Sequence, residues 1–343
     1  MEISKLSYTY SHRFDAQQPQ EVTVDPSILF FSDIDDTFVP WKKYNQEAEV
    51  DKLERTQASL QSYKGETVNA LCSARGLSSV QKLIPYLKDM PLQILGTNGG
   101  QQVFVNHQNI PTEQWLSALS VTDSDYGWQQ EVSQRSGGFS TQAAMENLKD
   151  VLKDLGFEKS RKKLPKPLDD REVYLTILPG KAQEVAVVAL SPDQSSFMIR
   201  ANPTRLDHPV SHQHRQLGRR IAYEMEKRML GQGIDMEAKR FISDSEHLIY
   251  LLQPHNVDKQ NLLEHLLGRY PAITSVITAG DHINDTMLGP STYGDVANYR
   301  IISGDRPEVV DQFSGQANVE QVPKGELSQG LESHMARLLA EPD

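Results

Sequence analysis

The chain has 343 residues, with 35 basic against 46 acidic side chains and a formal net charge of −11. That length suffices for two domains with a sizeable core, and the acidic balance, with no long basic stripe, argues against a nucleic-acid partner. No apolar stretch approaches membrane-spanning length, the N-terminal MEISKLSYTYSHRFDAQQPQ lacks the basic-then-apolar order of a signal peptide, and a lone cysteine, Cys72, leaves no disulfide framework. A cytoplasmic protein in a reducing compartment, with no membrane contact, is expected.

Residues 1–27 are polar and mixed, and read as a tail with one short strand at Leu6–Tyr10. The stretch ILFFSDIDDTFV, Ile28 to Val39, comes next. Four apolar residues closed abruptly by Ser32 and by charge predict a buried parallel strand. Asp33, Asp35 and Asp36 emerge at its C-terminal end, where open α/β sheets place their sites. A calcium loop beginning at Asp33 would need Gly sixth and Glu twelfth; Phe38 and Tyr44 stand there, so that reading fails.

A helix from about Gln46 to Tyr63 stops at Gly65. Thr67–Cys72 is a second strand, ending in Ser73-Ala74-Arg75-Gly76, and LSSVQKLIPYLK returns the chain as a helix. Leu92–Gly96 is a third strand, and Asn98-Gly99-Gly100 turns into QQVFV as a hairpin. This alternation predicts a doubly wound parallel sheet.

Past about residue 108 the rhythm changes. EQWLSALS, GWQQEVSQ and TQAAMENLKDVLKDLGF read as helices, EVYLTIL and SSFMIRA as strands, His212–Gly231 as a long helix, and RFISD with LIYLLQ as an antiparallel pair. The mixture predicts a separate α+β domain, residues 109–253, inserted into a core of residues 28–108 and 254–343. The doubly wound pattern resumes with a helix carrying Lys259 and a strand, Ser275–Gly280, that runs into Asp281, His282, Ile283, Asn284 and Asp285. Short strands and a helix over about Glu326–Leu339 finish the domain.

Two apolar strands therefore end in carboxylates, Asp33/Asp35 and Asp281/Asp285. Crowded acids repel one another unless a cation sits among them or one stays protonated. Magnesium favours such a hard, oxygen-only site. Alone, GDHIND also reads as a strand-to-helix turn with an aspartate cap, and Ser73 is equally a helix-capping serine. The Ser73 hydroxyl and the N–H groups around it also suit a phosphate oxygen. Lys259, near a helix start where it opposes the dipole, would balance the acids as a phosphate clamp.

The ordered set DIDDT, Ser73, Lys259 and GDHIND resembles the haloacid dehalogenase superfamily of phosphatases. The long insert between the serine and the lysine resembles its type-II-cap members, and LGTNGG is similar to a segment of the Cof-like and sucrose-phosphate-phosphatase-like branch. These motifs cover residues 28–108 and 254–300. One departure is Asp36, where many relatives carry glycine.

The resemblance implies an α/β fold, a Rossmannoid core with an inserted α+β cap. It implies a magnesium-dependent phosphatase of a small phosphate ester, above all a sugar phosphate. Asp33 would be the nucleophile, and Asp35 the general acid and base, its acidic neighbours favouring the protonated form. Ser73 and Lys259 would neutralise charge on the transferring oxygens. Mg2+ would be held by Asp33, Asp35 through its carbonyl, Asp281 and Asp285, with Asn284 and Asp285 orienting its waters. Thr37, Arg75, Gly76, Asn98 and Asn284 are the further candidates for substrate binding. In the cap, Arg161, Lys162, Lys163, Lys166, Arg171, Arg200 and Arg205 are basic candidates, although a solvated surface is the simpler reading for most. The same holds for His208, His212 and His214 at a helix start. A phosphomutase, or a binding or regulatory protein on the same fold, remains the alternative, and the oligomeric state is open.

Overall fold

An unbroken apolar strand must be covered on both faces, and β1 (Ile28–Asp33) is buried along its whole length. The computed structural model describes residues 26–39, 47–137, 139–159, 172–177, 184–190, 197–203, 211–242 and 248–340; the expected strand at Leu6–Tyr10 lies outside them. After β1 the chain forms α1 (Glu47–Ser62), β2 (Thr67–Cys72), the short helices α2 (Leu77–Val80) and α3 (Ile84–Leu87), β3 (Ile94–Thr97) and β4 (Gln102–Val105). The single helix expected over LSSVQKLIPYLK is split by a 3-10 turn, Gln81–Leu83. Pro85, which has no N–H to donate, opens the second piece.

The middle of the chain holds α4 (Thr112–Ala118), α5 (Tyr126–Arg135), α6 (Thr141–Asp154), β5 (Glu158–Lys159), β6 (Glu172–Ile177), β7 (Glu184–Leu190), β8 (Phe197–Pro203), α7 (His212–Gly231), β9 (Met236–Ile242) and β10 (Leu248–Pro254). The last part holds α8 (Lys259–Arg269), β11 (Ser275–Gly280), β12 (Thr292–Tyr293), β13 (Val296–Ser303), α9 (Pro307–Phe313), β14 (Val319–Val322) and α10 (Leu327–Ala340).

Two sheets result. The eight-stranded sheet runs β12-β13-β11-β1-β2-β3-β4, with β14 also on β13. Its pairs are parallel from β3 across to β14, with β4 and β12 as antiparallel additions. Alternation along β1 feeds two cores. Phe30 packs with Leu60 of α1 and Leu331 and Met335 of α10. Leu29 and Phe31 face the other way, onto Leu262, Leu263 and Leu266 of α8. Helices on both faces are what a doubly wound α/β sheet requires. The six-stranded sheet, β5-β6-β7-β8-β10-β9, is antiparallel throughout. Its core joins Phe197, Ile199 and Leu252 to Leu148 of α6 and Met225 of α7.

Helices α4 and α5 fall within residues 109–253, yet Trp115 and Leu116 of α4 and Trp128 of α5 are buried in the cores of the large sheet. The Trp128 indole donates to the Gly100 carbonyl at 2.8 Å, which ties α5 to the hairpin after β3. Among the described residues, no helix is long and apolar enough to cross a membrane.

Candidate active site

Three neighbouring parallel strands deliver the site. β1 lies between β2 and β11 and reverses the strand order, the crevice position where open α/β sheets bind ligands. Asp33 is the last residue of β1, Ser73 the first after β2 and Asp281 the first after β11. Asp33 pairs in register with Cys72, so Asp33 and Ser73 leave the sheet at one level. Lys259, the first residue of α8, arrives from above β1 and β11. Its ammonium donates to Asp33 Oδ1 and, at 2.6 Å, to Asp285 Oδ1. Asp258 before it caps α8 by accepting from Asn261 N, which replaces the dipole stabilisation the lysine forfeits.

Electrostatics at this point are dominated by burial. Asp33 is held well above the usual carboxylate range by desolvation, which outweighs the attraction of Lys259, with Asp285, Asp281 and Asp35 adding to the rise. Asp281 is pushed up to about 7 by desolvation and by Asp285, against the pull of Arg306. Burial works against the Lys259 ammonium, but Asp285 and Asp33 overcome it and keep the lysine charged well past its ordinary range. The carboxylates of Asp33, Asp281 and Asp285 each bring an oxygen within 4.8 Å of the others, all buried. Three convergent buried carboxylates, facing the Lys259 ammonium and a partly exposed Arg306 guanidinium, form an oxygen donor set that suits a hard divalent cation.

Two glycines make the convergence possible. A Cβ on Gly280 would meet Asp285 Oδ2 at 2.6 Å, and Asp285 Oδ2 uses that closeness to accept N–H bonds from Asp281 and His282, both at 2.9 Å. Gly100, at φ +101°, would place a Cβ 2.6 Å from the Asp258 carbonyl, so the LGTNGG turn presses directly on the start of α8.

Asp35 faces a different environment. Its carboxylate is gripped by Arg75, with Nε at 2.9 Å from both oxygens and Nη2 at 2.8 Å from Oδ1, and it accepts the Ser73 hydroxyl at 3.2 Å. The groups against it are thus a guanidinium and a hydroxyl rather than the acids. Arg75, expected at the substrate, is bound to Asp35. Ser73 Oγ also accepts from Arg75 N at 3.0 Å. Thr37 is fully buried and donates to Asp281 Oδ1 at 3.1 Å. Asn98, also buried, gives its amide N–H to the Arg75 carbonyl at 2.8 Å and its side chain to Gln102 at 3.0 Å, while Gly99 N reaches the Ser73 carbonyl at 2.9 Å. The third-strand turn therefore braces the serine loop. Gly76 precedes α2 and accepts N–H bonds from Ser79 and Val80. Asn284 N donates to His282 Nδ1 at 3.1 Å, beside the metal-type cluster, and burial lowers the His282 pKa.

Arg306 and Lys324, which the sequence did not single out, reach this edge from the far end of the chain. Arg306 Nη2 lies 3.2 Å from Asp281 Oδ2, and Lys324 Nζ lies 2.9 Å from Asp36 Oδ2. No local pattern marks either. Of the cap candidates, Arg161, Lys162, Lys163, Lys166, Arg171, Arg205 and His208 lie outside the described residues, and Arg200 lies on β8. His214 accepts from Ser211 N at 3.0 Å and so caps α7, while His212 is exposed.

No family model matches the chain, and no curated protein matches its sequence. Solved structures do match. A haloacid dehalogenase-like hydrolase protein of Bacillus subtilis is 13% identical, covers 93% of this chain and 94% of its own, and superposes with a TM-score of 0.55. The sucrose-phosphatase of Synechocystis sp. PCC6803, solved with sucrose and phosphate, is 15% identical, covers 90% of this chain and 97% of its own, and gives a TM-score of 0.53. Identities this low speak to architecture, and both likenesses run nearly end to end. A parallel-dominated core with a second, antiparallel sheet inserted between its halves is the haloacid dehalogenase-like fold, and this chain has that fold.

Proposed function

We propose that the chain is a magnesium-dependent phosphatase of small phosphorylated metabolites, with sugar phosphates as the substrate class. The observation that carries this reading is the meeting of Asp33, Ser73, Lys259, Asp281 and Asp285 over the ends of β1, β2 and β11. The likeness to a sucrose-phosphatase solved with sucrose and phosphate supports the sugar class.

In this reading an ionised Asp33 oxygen attacks phosphorus and the bond to the sugar oxygen breaks, leaving an aspartyl phosphate. Asp35, held beside Ser73 by Arg75, gives its proton to the departing alkoxide. It then takes a proton from a water that attacks the same phosphorus, freeing phosphate and restoring Asp33. Ser73 and Lys259 donate to the phosphoryl oxygens as charge develops on them. A bound Mg2+, held by Asp33, Asp281 and Asp285 with the Asp35 carbonyl, would supply the charge neutralisation that lets an anionic carboxylate approach an anionic phosphate. Thr37 keeps Asp281 oriented.

The cap we propose begins after α5, near residue 139, and runs to about residue 254, since α4 and α5 share the cores of the large sheet. It would close over the leaving group and choose the substrate. The test is a screen of sugar phosphates, nucleotides and phosphorylated acids with Mg2+. Free phosphate should be released without any bisphosphate activator. Interconversion without release would identify a mutase, and silence across the panel would identify a binding protein.

A further inference from the structure

Asp36 sits at φ +62°, in the left-handed region where glycine is most at ease and aspartate is tolerated. Its carboxylate does what a glycine could not. Asp36 Oδ2 accepts from Lys324 Nζ at 2.9 Å and lies 3.8 Å from Arg306 Nη2. The same guanidinium nitrogen stands 3.2 Å from Oδ2 of Asp281, whose other oxygen takes the Thr37 hydroxyl. Ser303, the last residue of β13, locks the arrangement: its hydroxyl donates to the Asp36 carbonyl at 3.4 Å and accepts from Gly325 N at 3.1 Å. Both cations come in from solvent, with side chains 37% exposed for Arg306 and 49% for Lys324, whereas Asp281 is 6% exposed.

A permanent positive charge on a carboxylate that belongs to a divalent-cation donor set has two effects. It offsets the repulsion among Asp281, Asp285 and Asp33 when no ion is bound, and it opposes the arrival of one. We propose that Arg306, whose charge Asp36 shares with Asp281, is a resident counter-cation that loosens divalent-metal binding at Asp281. The inference rests on the metal site of the proposed function. It adds that affinity there is set by a residue outside the motifs. Lys259 is a second cation on the donor set, paired to Asp33 and Asp285, but it belongs to the motifs and is the proposed donor to the phosphoryl oxygens, so Arg306 is the cation that can be changed without touching that machinery.

Calorimetric titration of the full chain with Mg2+ alone, in the absence of substrate, tests this without reading activity. Arg306→Gln should bind Mg2+ about tenfold more tightly, the order expected for removing one partly exposed charge beside an ion. Arg306→Lys should stay near wild type. Asp36→Asn keeps a residue that tolerates the left-handed backbone, but releases Arg306 onto Asp281, so it should bind more weakly. That loss should shrink in the Arg306→Gln background, as coupled sites require. High salt should narrow the gap between wild type and Arg306→Gln, because Arg306 is partly exposed. Equal or weaker binding by Arg306→Gln, with wild type binding normally, overturns the inference and leaves the metal site standing. Absence of binding in both overturns the inference together with the metal reading. Binding by Arg306→Gln alone would be the same effect at its largest.

Discussion

Asp33 and Asp35 are two residues apart and meet opposite surroundings. Asp33 is sealed among Lys259, Asp281 and Asp285, while Asp35 lies at the edge of the site against Arg75 and Ser73. That division suits one carboxylate to attack and the other to move a proton. Asp33→Asn keeps the side-chain shape but removes the nucleophile, and phosphate release should fall by about 10³-fold or more. Since burial and the neighbouring acids disfavour ionised Asp33 despite Lys259, the variant should melt no lower than wild type in metal-free buffer at pH 8. Wild-type turnover, in a preparation free of other phosphatases, would refute the mechanism. Arg75 acts through Asp35, so Arg75→Gln should slow alkyl phosphates about 10- to 100-fold. The loss should be smaller, though not absent, on p-nitrophenyl phosphate, whose phenolate leaves unprotonated but whose aspartyl phosphate still needs Asp35 to activate water. Equal losses on both esters would instead assign Arg75 to holding the substrate.

At the scale of elements, the site depends on how closely a hairpin and a helix start approach each other. Gly100 combines a positive φ with a backbone carbonyl 2.6 Å from its would-be Cβ, and that carbonyl belongs to the cap of α8. Gly100→Ala should destabilise the fold by about 2 kcal/mol or more and, by pushing Lys259 off Asp33, reduce turnover beyond the stability loss. Gly268 on α8 has open space around it and is exposed, so Gly268→Ala should instead add about 0.5–1 kcal/mol. Thermal melts of both, beside steady-state kinetics, would check the pair; a harmless Gly100→Ala would mean the turn does not position the lysine. The strands that carry the site are legible because each is an apolar run closed abruptly by polar residues: β2 and β11 match the expected Thr67–Cys72 and Ser275–Gly280, and β1 begins at Ile28 as expected but runs past the closing Ser32 to include Asp33. β7, EVAVVAL, is a strand the sequence reading omits, although its three valines, its length and the Pro-Gly and Ser-Pro turn signals on either side are the marks that identify it. The Arg75 clasp and the approach of Arg306 and Lys324 were illegible. They are tertiary contacts, the latter bridging Asp36 to residues near the far end of the chain, and neither leaves a spacing to read.

For the whole molecule, the buried acids make the site a source of instability until their charge is neutralised. Asp281 titrates near 3.8 when unperturbed but at about 7 in the fold, raised by burial and by Asp285. Between those values the folded chain keeps a proton that the unfolded chain has released. The folded state therefore binds more protons there, and this group's contribution to stability falls as pH rises across that window. Asp33 shifts the same way. Buried His334 runs opposite: its pKa is lowered, so its share of stability is lost as pH falls. Comparing melts with and without metal at each pH cancels the histidine, which lies away from the cluster. A divalent ion binds only the ionised carboxylates, so at low pH it must first displace their protons. The stabilisation given by Mg2+ should therefore grow as pH rises from about 5.5 to 8, towards about 2.7 kcal/mol when the free ion reaches a hundred times its Kd. Asp281→Asn should abolish most of the increment. An increment independent of pH, or one that survives in Asp281→Asn, would mean that the ion binds elsewhere and that these three carboxylates are not its ligands.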